Sequence, residues 1–153
     1  MTYLLRKLPF QDRFSTVEIR GARYRIFPFQ ILVWVSIGPM GLRDLAPQTP
    51  RFPAVLDTAF TDNFLIHGQQ LRQWAGWQQE HLRRFGADRR AHGRQIPLYA
   101  ANLWIHANIP GQRDQLADKA PLLVELHRGI GVSEDPDGYP RLPLLGARGT
   151  CNC

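Results

Sequence analysis

Short alternations of apolar and polar residues in the first third of the chain predict β-strands. The alternation over residues 17–20 stops at Gly21 and resumes over residues 24–27, which is typical of two strands joined by a tight turn. Residues 31–37 form a longer run rich in β-branched side chains and predict a third strand. Residues 38–53 contain four prolines and have no periodicity, so we predict an extended surface loop there.

Further along the chain, apolar residues recur with a helical period in one segment only. Over residues 71–85 they recur every three or four positions, which predicts one amphipathic helix that ends at Gly86. Trp74 and Trp77 belong to its apolar face, and we predict that they lie in the core rather than on a base-stacking surface. Residues 114–119 predict a single helical turn. Further strands are predicted at residues 54–56, 63–67, 122–126 and 142–146, and residues 96–109 predict a long strand or a hairpin interrupted near Asn102.

The order of these elements predicts an all-β fold, mainly β with one amphipathic helix, arranged as a small closed barrel or a sandwich. The length of 153 residues suits one domain with a substantial core. Hydrophobic residues make up 44% of the chain and charged residues 21%, which excludes a disordered, collagen-like or coiled-coil protein. We therefore expect residues 1–153 to form a single domain.

Charge and cysteine content limit the kind of partner and the cellular compartment that we expect for this protein. The 19 Lys and Arg against 13 Asp and Glu give a formal net charge of +6, which favours an anionic partner but does not define the chemistry. Cys151 and Cys153 are too few for a disulfide framework. The N-terminal residues lack the pattern of a signal peptide, and the most apolar run, residues 29–38, is too short to span a membrane. These features predict a cytoplasmic protein with no membrane partner.

The candidate chemistry lies at Asp57, which ends the apolar segment of residues 53–56 and is followed by two small residues, Thr58 and Ala59. A carboxylate beside a core must be hydrogen-bonded, paired or protonated, so its placement there indicates a role. Small neighbours allow other backbone to approach the carboxyl group closely. The histidines do not share the spacing of zinc ligands, so we expect neither a metal nor a cofactor. These histidines are His67, His81, His92, His106 and His127.

The segment Ala-Val-Leu-Asp-Thr-Ala at residues 54–59 resembles the signature of retropepsin-like aspartic proteases, two or more apolar residues followed by Asp-Thr/Ser-Gly. Residues 142–146, which end in Leu144, Leu145 and Gly146, resemble the second signature of that family. The order and spacing of the two segments fit the family, and the resemblance covers roughly residues 29–149, closest to its bacterial members.

The resemblance implies a small closed acid-protease barrel and an aspartic endopeptidase that acts on peptide or protein substrates. The chain holds one Asp-Thr-small segment, so the implied active site needs two copies of Asp57 from a homodimer. Thr58 would then lock the two catalytic loops together across the two-fold axis. In the family the second signature crosses behind the catalytic loop, and we expect the flap near residues 86–93.

Two departures from the family pattern bear on activity. Ala59 replaces the glycine of the first signature and adds a methyl group where substrate and partner loop come close, which impairs catalysis if the backbone there needs glycine. The chain also ends soon after Gly146, where family members continue into a helix, so the resemblance predicts a C-terminally truncated domain.

The alternative function is a non-catalytic basic binding module that contacts nucleic acid or an acidic protein. It would rest on the arginines clustered after the predicted helix, although such a cluster is more simply a solvated face. Binding through them would be steeply salt-dependent. These arginines are Arg83, Arg84, Arg89, Arg90 and Arg94.

Overall fold

A short β-hairpin begins the computed structural model, which describes residues 11–57, 60, 63–86, 89–91, 93–134 and 141–146. Its strands are β1 (Ser15–Ile19) and β2 (Ala22–Ile26), paired antiparallel with Ile19 opposite Ala22. The two residues of the turn, Arg20 and Gly21, both have positive φ, 48° and 80°. This is the geometry of a two-residue turn that matches the twist of the strands. The predicted strand, turn and strand are confirmed.

Ten further strands occur among the described residues. They are β3 (Ile31–Pro39), β4 (Phe52–Asp57), β5 (Phe64–His67), β6 (Arg89–Ala91), β7 (Arg94–Ile96), β8 (Leu98–Tyr99), β9 (Ala101–His106), β10 (Leu122–Val124), β11 (Ile130–Ser133) and β12 (Leu144–Gly146). Eight of them form one large sheet in the order β10-β9-β3-β4-β12-β5-β11-β8, and β6 and β7 form a separate hairpin.

The large sheet curls into a half-barrel around an apolar core, so the mainly-β prediction is confirmed. Strands β3 and β9 are its longest pair and are almost wholly buried. Runs buried on both faces suit a sheet whose inner side is filled and whose outer side is covered. The largest fully buried side chains include Trp104, Phe52, Phe64, Leu32, Ile37, Ile66 and Leu71.

The helix is shorter than its periodicity predicted. It begins with α1 (Gly68–Gln70) and continues as a π-helical turn to Ala75, where Gly76 adopts a left-handed conformation with φ 78° and ends it. The prediction of a helix to residue 85 was wrong. The apolar residues keep their helical spacing beyond Gly76, but this helix ends at Ala75. Beyond it, the indole nitrogen of Trp77 donates to the Ile37 carbonyl at 2.9 Å, and Phe85 donates to the Leu98 carbonyl at 2.8 Å.

Two other segments differ from the sequence prediction. Residues 114–119 form no helical turn, because their backbone pairs with the segment after β9: Ala117 donates to the Ala107 carbonyl at 2.8 Å and Ile109 to the Gln115 carbonyl at 2.9 Å. The long strand or hairpin predicted at 96–109 is the end of β7 followed by β8 and β9, and the breaks lie at Pro97 and Ala100 rather than at Asn102. No helix within the described ranges is both long enough and apolar enough to cross a membrane.

One arginine ties the N-terminal hairpin to the rest of the fold. The Arg113 guanidinium donates to the Ser15 hydroxyl and to the Thr16 carbonyl, both at 2.9 Å, while Asp114 accepts two bonds from the same group at 2.9 and 3.0 Å. The Arg113 carbonyl in turn accepts from the Trp34 indole at 2.9 Å. The planar guanidinium can make these bonds at once, so it holds β1 against the sheet.

Candidate active site

Asp57 is the last residue of β4, a strand buried along most of its length. Phe52 through Val55 are buried, whereas Leu56 and Asp57 are half-buried, so the carboxyl group lies where the strand leaves the core. The Phe60 amide donates to the Asp57 carbonyl at 3.2 Å, which reverses the chain immediately after the strand. Thr58 and Ala59, the other two residues predicted for the catalytic loop, lie outside the described residues.

Strand β12 lies between β4 and β5 and brings the second predicted segment to Asp57. It runs parallel to β4, with Leu144 opposite Val55, Leu145 opposite Leu56 and Gly146 opposite Asp57. On its other side it pairs antiparallel with β5, Leu145 opposite Phe64. The two segments that the sequence singled out are therefore direct neighbours, although they are far apart along the chain.

Three further contacts fix the position of β12. At its start, the Val55 amide donates to the Pro143 carbonyl at 2.8 Å, and at its end the Gly146 amide donates to the Asn63 carbonyl at 3.0 Å. The Gln70 side chain donates to the Arg141 carbonyl just before the strand. Leu145 is fully buried, so its side chain anchors the strand in the core. The register of Gly146 beside Asp57 is thus held from both ends.

Asn63 is a polar residue of this region that the sequence did not distinguish from its strand neighbours. It lies between the chain reversal after Asp57 and the start of β5, and only 8% of its surface is exposed. Its side-chain nitrogen is buried without a hydrogen-bond partner. A buried amide nitrogen without a partner carries a desolvation cost. No local pattern in the sequence signals this.

A second pair of reactive residue types, Ser36 and His106, is buried in the sheet. The Ser36 hydroxyl donates to the Pro50 carbonyl at 2.7 Å, and its oxygen lies 2.8 Å from Nε2 of His106. Because the hydroxyl has one hydrogen, Nε2 must be the donor of the second bond. His106 therefore cannot accept the Ser36 proton in this arrangement, and Ser36 is fully buried. The pair anchors the proline-rich loop at Pro50 and is not a nucleophilic site.

Burial lowers the pKa of His106 to about 4, and the positive charge of Arg51 contributes in the same direction. The folded protein thus keeps His106 neutral while the unfolded chain takes up a proton near its ordinary pKa of 6.5. Stability is therefore lost as pH falls from about 6.5 to about 4, by about 3 kcal/mol. We expect urea denaturation to show this loss, and His106→Gln to reduce it.

The matched control for this pH dependence is the exposed His127, whose replacement by Gln should leave the pH dependence of the wild type intact. A direct check is an NMR titration of the His106 ring protons in the folded protein. A ring that titrates near pH 6.5 would contradict the assignment.

The arginines of the alternative binding module are only partly described. Arg83 and Arg84 are exposed, and the Arg84 guanidinium lies 5.4 Å from the centre of the Tyr99 ring. The hairpin of β6 and β7 carries the others, with Ala91 opposite Arg94 at its end and Gly93 in the turn. This hairpin, residues 89–96, overlaps the segment predicted for the flap, residues 86–93. Groups of three or more potential metal ligands do not occur among the described residues.

Comparison of the chain with protein-family models, with curated proteins and with solved structures found no match.

Proposed function

We propose that this protein is an aspartic endopeptidase of the retropepsin type, which hydrolyses peptide bonds at a site formed by Asp57 from two copies of the chain. The observation that supports the proposal is the register of β12 against β4, which sets Gly146 beside Asp57. That pairing agrees with the resemblance of residues 54–59 and 142–146 to the two signatures of the family. The insertion of β12 between β4 and β5 agrees with a second signature that crosses behind the catalytic loop.

The chemistry follows from holding two carboxyl groups close together. Two carboxylates about 3 Å apart do not both ionise, so they share a proton. The ionised Asp57 removes a proton from a water molecule as that water attacks the carbonyl carbon of the peptide bond. The protonated Asp57 of the second copy donates a hydrogen bond to the carbonyl oxygen, where negative charge develops. The carbon–nitrogen bond then breaks as the first Asp57 gives the proton taken from water to the leaving nitrogen, and no covalent enzyme intermediate forms.

A homodimer supplies the second carboxyl group in this proposal. Asp57 ends a strand and lies half-buried, so its carboxyl group is at the edge of the core rather than sealed within it. A two-fold axis through this point would set the two Asp57 residues facing each other by symmetry. Thr58 would join the two loops, since a hydroxyl group can both donate and accept a hydrogen bond.

Peptide hydrolysis should depend on protein concentration if the site forms between two copies. We expect the purified chain, incubated with a pool of unfolded peptides near pH 5, to generate new peptide termini detectable by mass spectrometry. Its activity per molecule should fall on dilution through the range in which sedimentation shows the dimer dissociating. An absence of new termini, or activity that a monomer carries undiminished, would refute the proposal.

A further inference from the structure

The β1–β2 hairpin presents one face to the core and the other to solvent. Val17 and Ile26 are buried, and the Tyr24 ring packs edge to face on Trp74 with centroids 5.0 Å apart. Residues on the opposite side of the same strands are exposed. We call these exposed residues the outer face: Phe14, Thr16, Glu18, Arg23, Arg25 and Phe27.

Aromatic and cationic side chains are stacked on the outer face. The rings of Phe14 and Phe27 meet edge to face with centroids 5.4 Å apart, and they are 49% and 52% exposed. The Arg25 guanidinium lies 4.0 Å from the centre of the Phe14 ring. Phenylalanine rings are costly to leave in water, so a preformed cluster of this kind indicates a surface that binds something.

The surface carries a net positive charge, although Glu18 lies opposite Arg23 on the same face. Residues 11–30 contain four arginines and two carboxylates. Arg13 lies 3.7 Å from Asp12, whereas the described residues form no ion pair with Arg20, Arg23 or Arg25. The partner of this surface should therefore be anionic as well as able to cover aromatic rings.

Backbone strain occurs at the turn of the same hairpin and just after its second strand, which supports a functional role for this region. Arg20 and Phe29 have φ of 48° and 64°, the two positive values among non-glycine residues of the described chain. A side chain other than Gly, Asn or Asp is disfavoured in this region, so each residue carries a conformational cost. At the first turn position Asn would relieve the strain. Arginine there keeps an exposed cation at the tip of the hairpin.

We propose that the outer face binds single-stranded nucleic acid, with unpaired bases stacked on Phe14 and Phe27 and phosphates held by the arginines. Single strands satisfy both requirements of the surface, because every base has a flat π-face and every linkage has a negative charge. A duplex keeps its bases stacked inside, so it offers only its phosphates to this face. The proposal does not depend on Asp57 or on peptidase activity.

The first test is fluorescence anisotropy with labelled 12-nucleotide oligo-dT and oligo-U at low and moderate salt. We expect binding that weakens as salt rises, and about tenfold weaker binding by the double variant F14A/F27A. The conservative variant F14Y/F27Y keeps both rings and should bind as the wild type does. The variant R83Q/R84Q, which removes two exposed arginines elsewhere, is the matched control for charge and should bind nearly as the wild type does.

The second test uses the strained turn. Arg20→Asn should raise the melting temperature, because Asn suits the left-handed backbone, and should weaken oligonucleotide binding, because a cation is lost. A role of Arg20 in folding alone would not produce these opposite changes.

Any of three results would overturn the proposal. The first is undetectable oligonucleotide binding by the wild type at low salt. The second is binding that F14A/F27A leaves unchanged while R83Q/R84Q weakens it. The third is dissociation of a dimer by F14A/F27A with oligonucleotide binding unaffected, which would assign the outer face to contact between copies of the chain.

Discussion

Asp57→Asn is expected to abolish peptide hydrolysis, with a loss of at least about a hundredfold in rate, because asparagine can neither remove a proton from water nor share one with a second carboxyl group. The side chains have nearly the same shape, and Asp57 lies at the half-buried end of β4, so the fold should be retained. The measurement is the rate of new peptide termini near pH 5, with circular dichroism to confirm that the variant is folded.

The exposed Asp44 offers the matched control, because Asp44→Asn makes the same chemical change outside the candidate site and should leave the rate unaltered. Mixing provides a sharper test of the shared site. Random pairing of equal amounts of wild type and D57N leaves about one quarter of the dimers with two intact carboxyl groups. An activity near one quarter of that of the same total amount of wild type supports a shared pair of carboxyl groups. An activity near one half indicates that each copy acts alone.

Gly129→Ala is expected to destabilise the fold by roughly 4 kcal/mol, because the added methyl group meets backbone rather than open space. Gly129 has φ 64°, and a β-carbon built there would lie 2.0 Å from the Tyr99 carbonyl oxygen and 2.9 Å from its carbon. These are backbone atoms of β8, which pairs with β11 through Ile130 opposite Tyr99. The methyl group must therefore push two strands apart rather than displace a flexible side chain.

Gly111→Ala separates the steric clash of the added methyl group from the conformational cost of a positive φ in a residue other than glycine. Gly111 also has a positive φ, 79°, but a β-carbon added there would have no atom within 4 Å beyond its chain neighbours. Its substitution should cost about 1 kcal/mol, the conformational part alone. Urea denaturation, monitored by tryptophan fluorescence, measures the free energy of unfolding of both variants. A Gly129→Ala variant no less stable than Gly111→Ala would mean that β8 can move to accept the methyl group.

Local pattern was sufficient to predict most of the strands. The β1–β2 hairpin, β3 and β4 follow directly from alternation, from β-branched residues and from the glycine and prolines that bound them. The same reasoning missed β11, whose four residues include Gly131 and do not alternate clearly. It also extended the helix past Gly76, because the apolar spacing of residues 77–85 continues, although Gln79–His81 form only a 3-10 turn and Phe85 bonds to β8.

The candidate site was predictable only in part. Asp57 and Gly146 could be singled out by residue type and by resemblance, but their adjacency is a property of sheet order, which no local pattern encodes. The buried amide of Asn63 and the Ser36–His106 pair also depend on contacts between distant strands. The outer face of the hairpin could in principle be predicted from the sequence, because alternation places Phe14 and Phe27 on the side opposite the buried Val17.

The insertion of β12 between β4 and β5 has a consequence for the order of folding. Until residues 144–146 arrive, β4 and β5 have no hydrogen-bond partner between them, and each presents an unpaired strand edge. The strand that joins them comes late in the chain, so its docking must close a long loop and should be slow. In molecules where this strand has not yet docked, the sheet would consist of two separate halves with unpaired edges. Aggregation through those edges would compete with completion of the sheet.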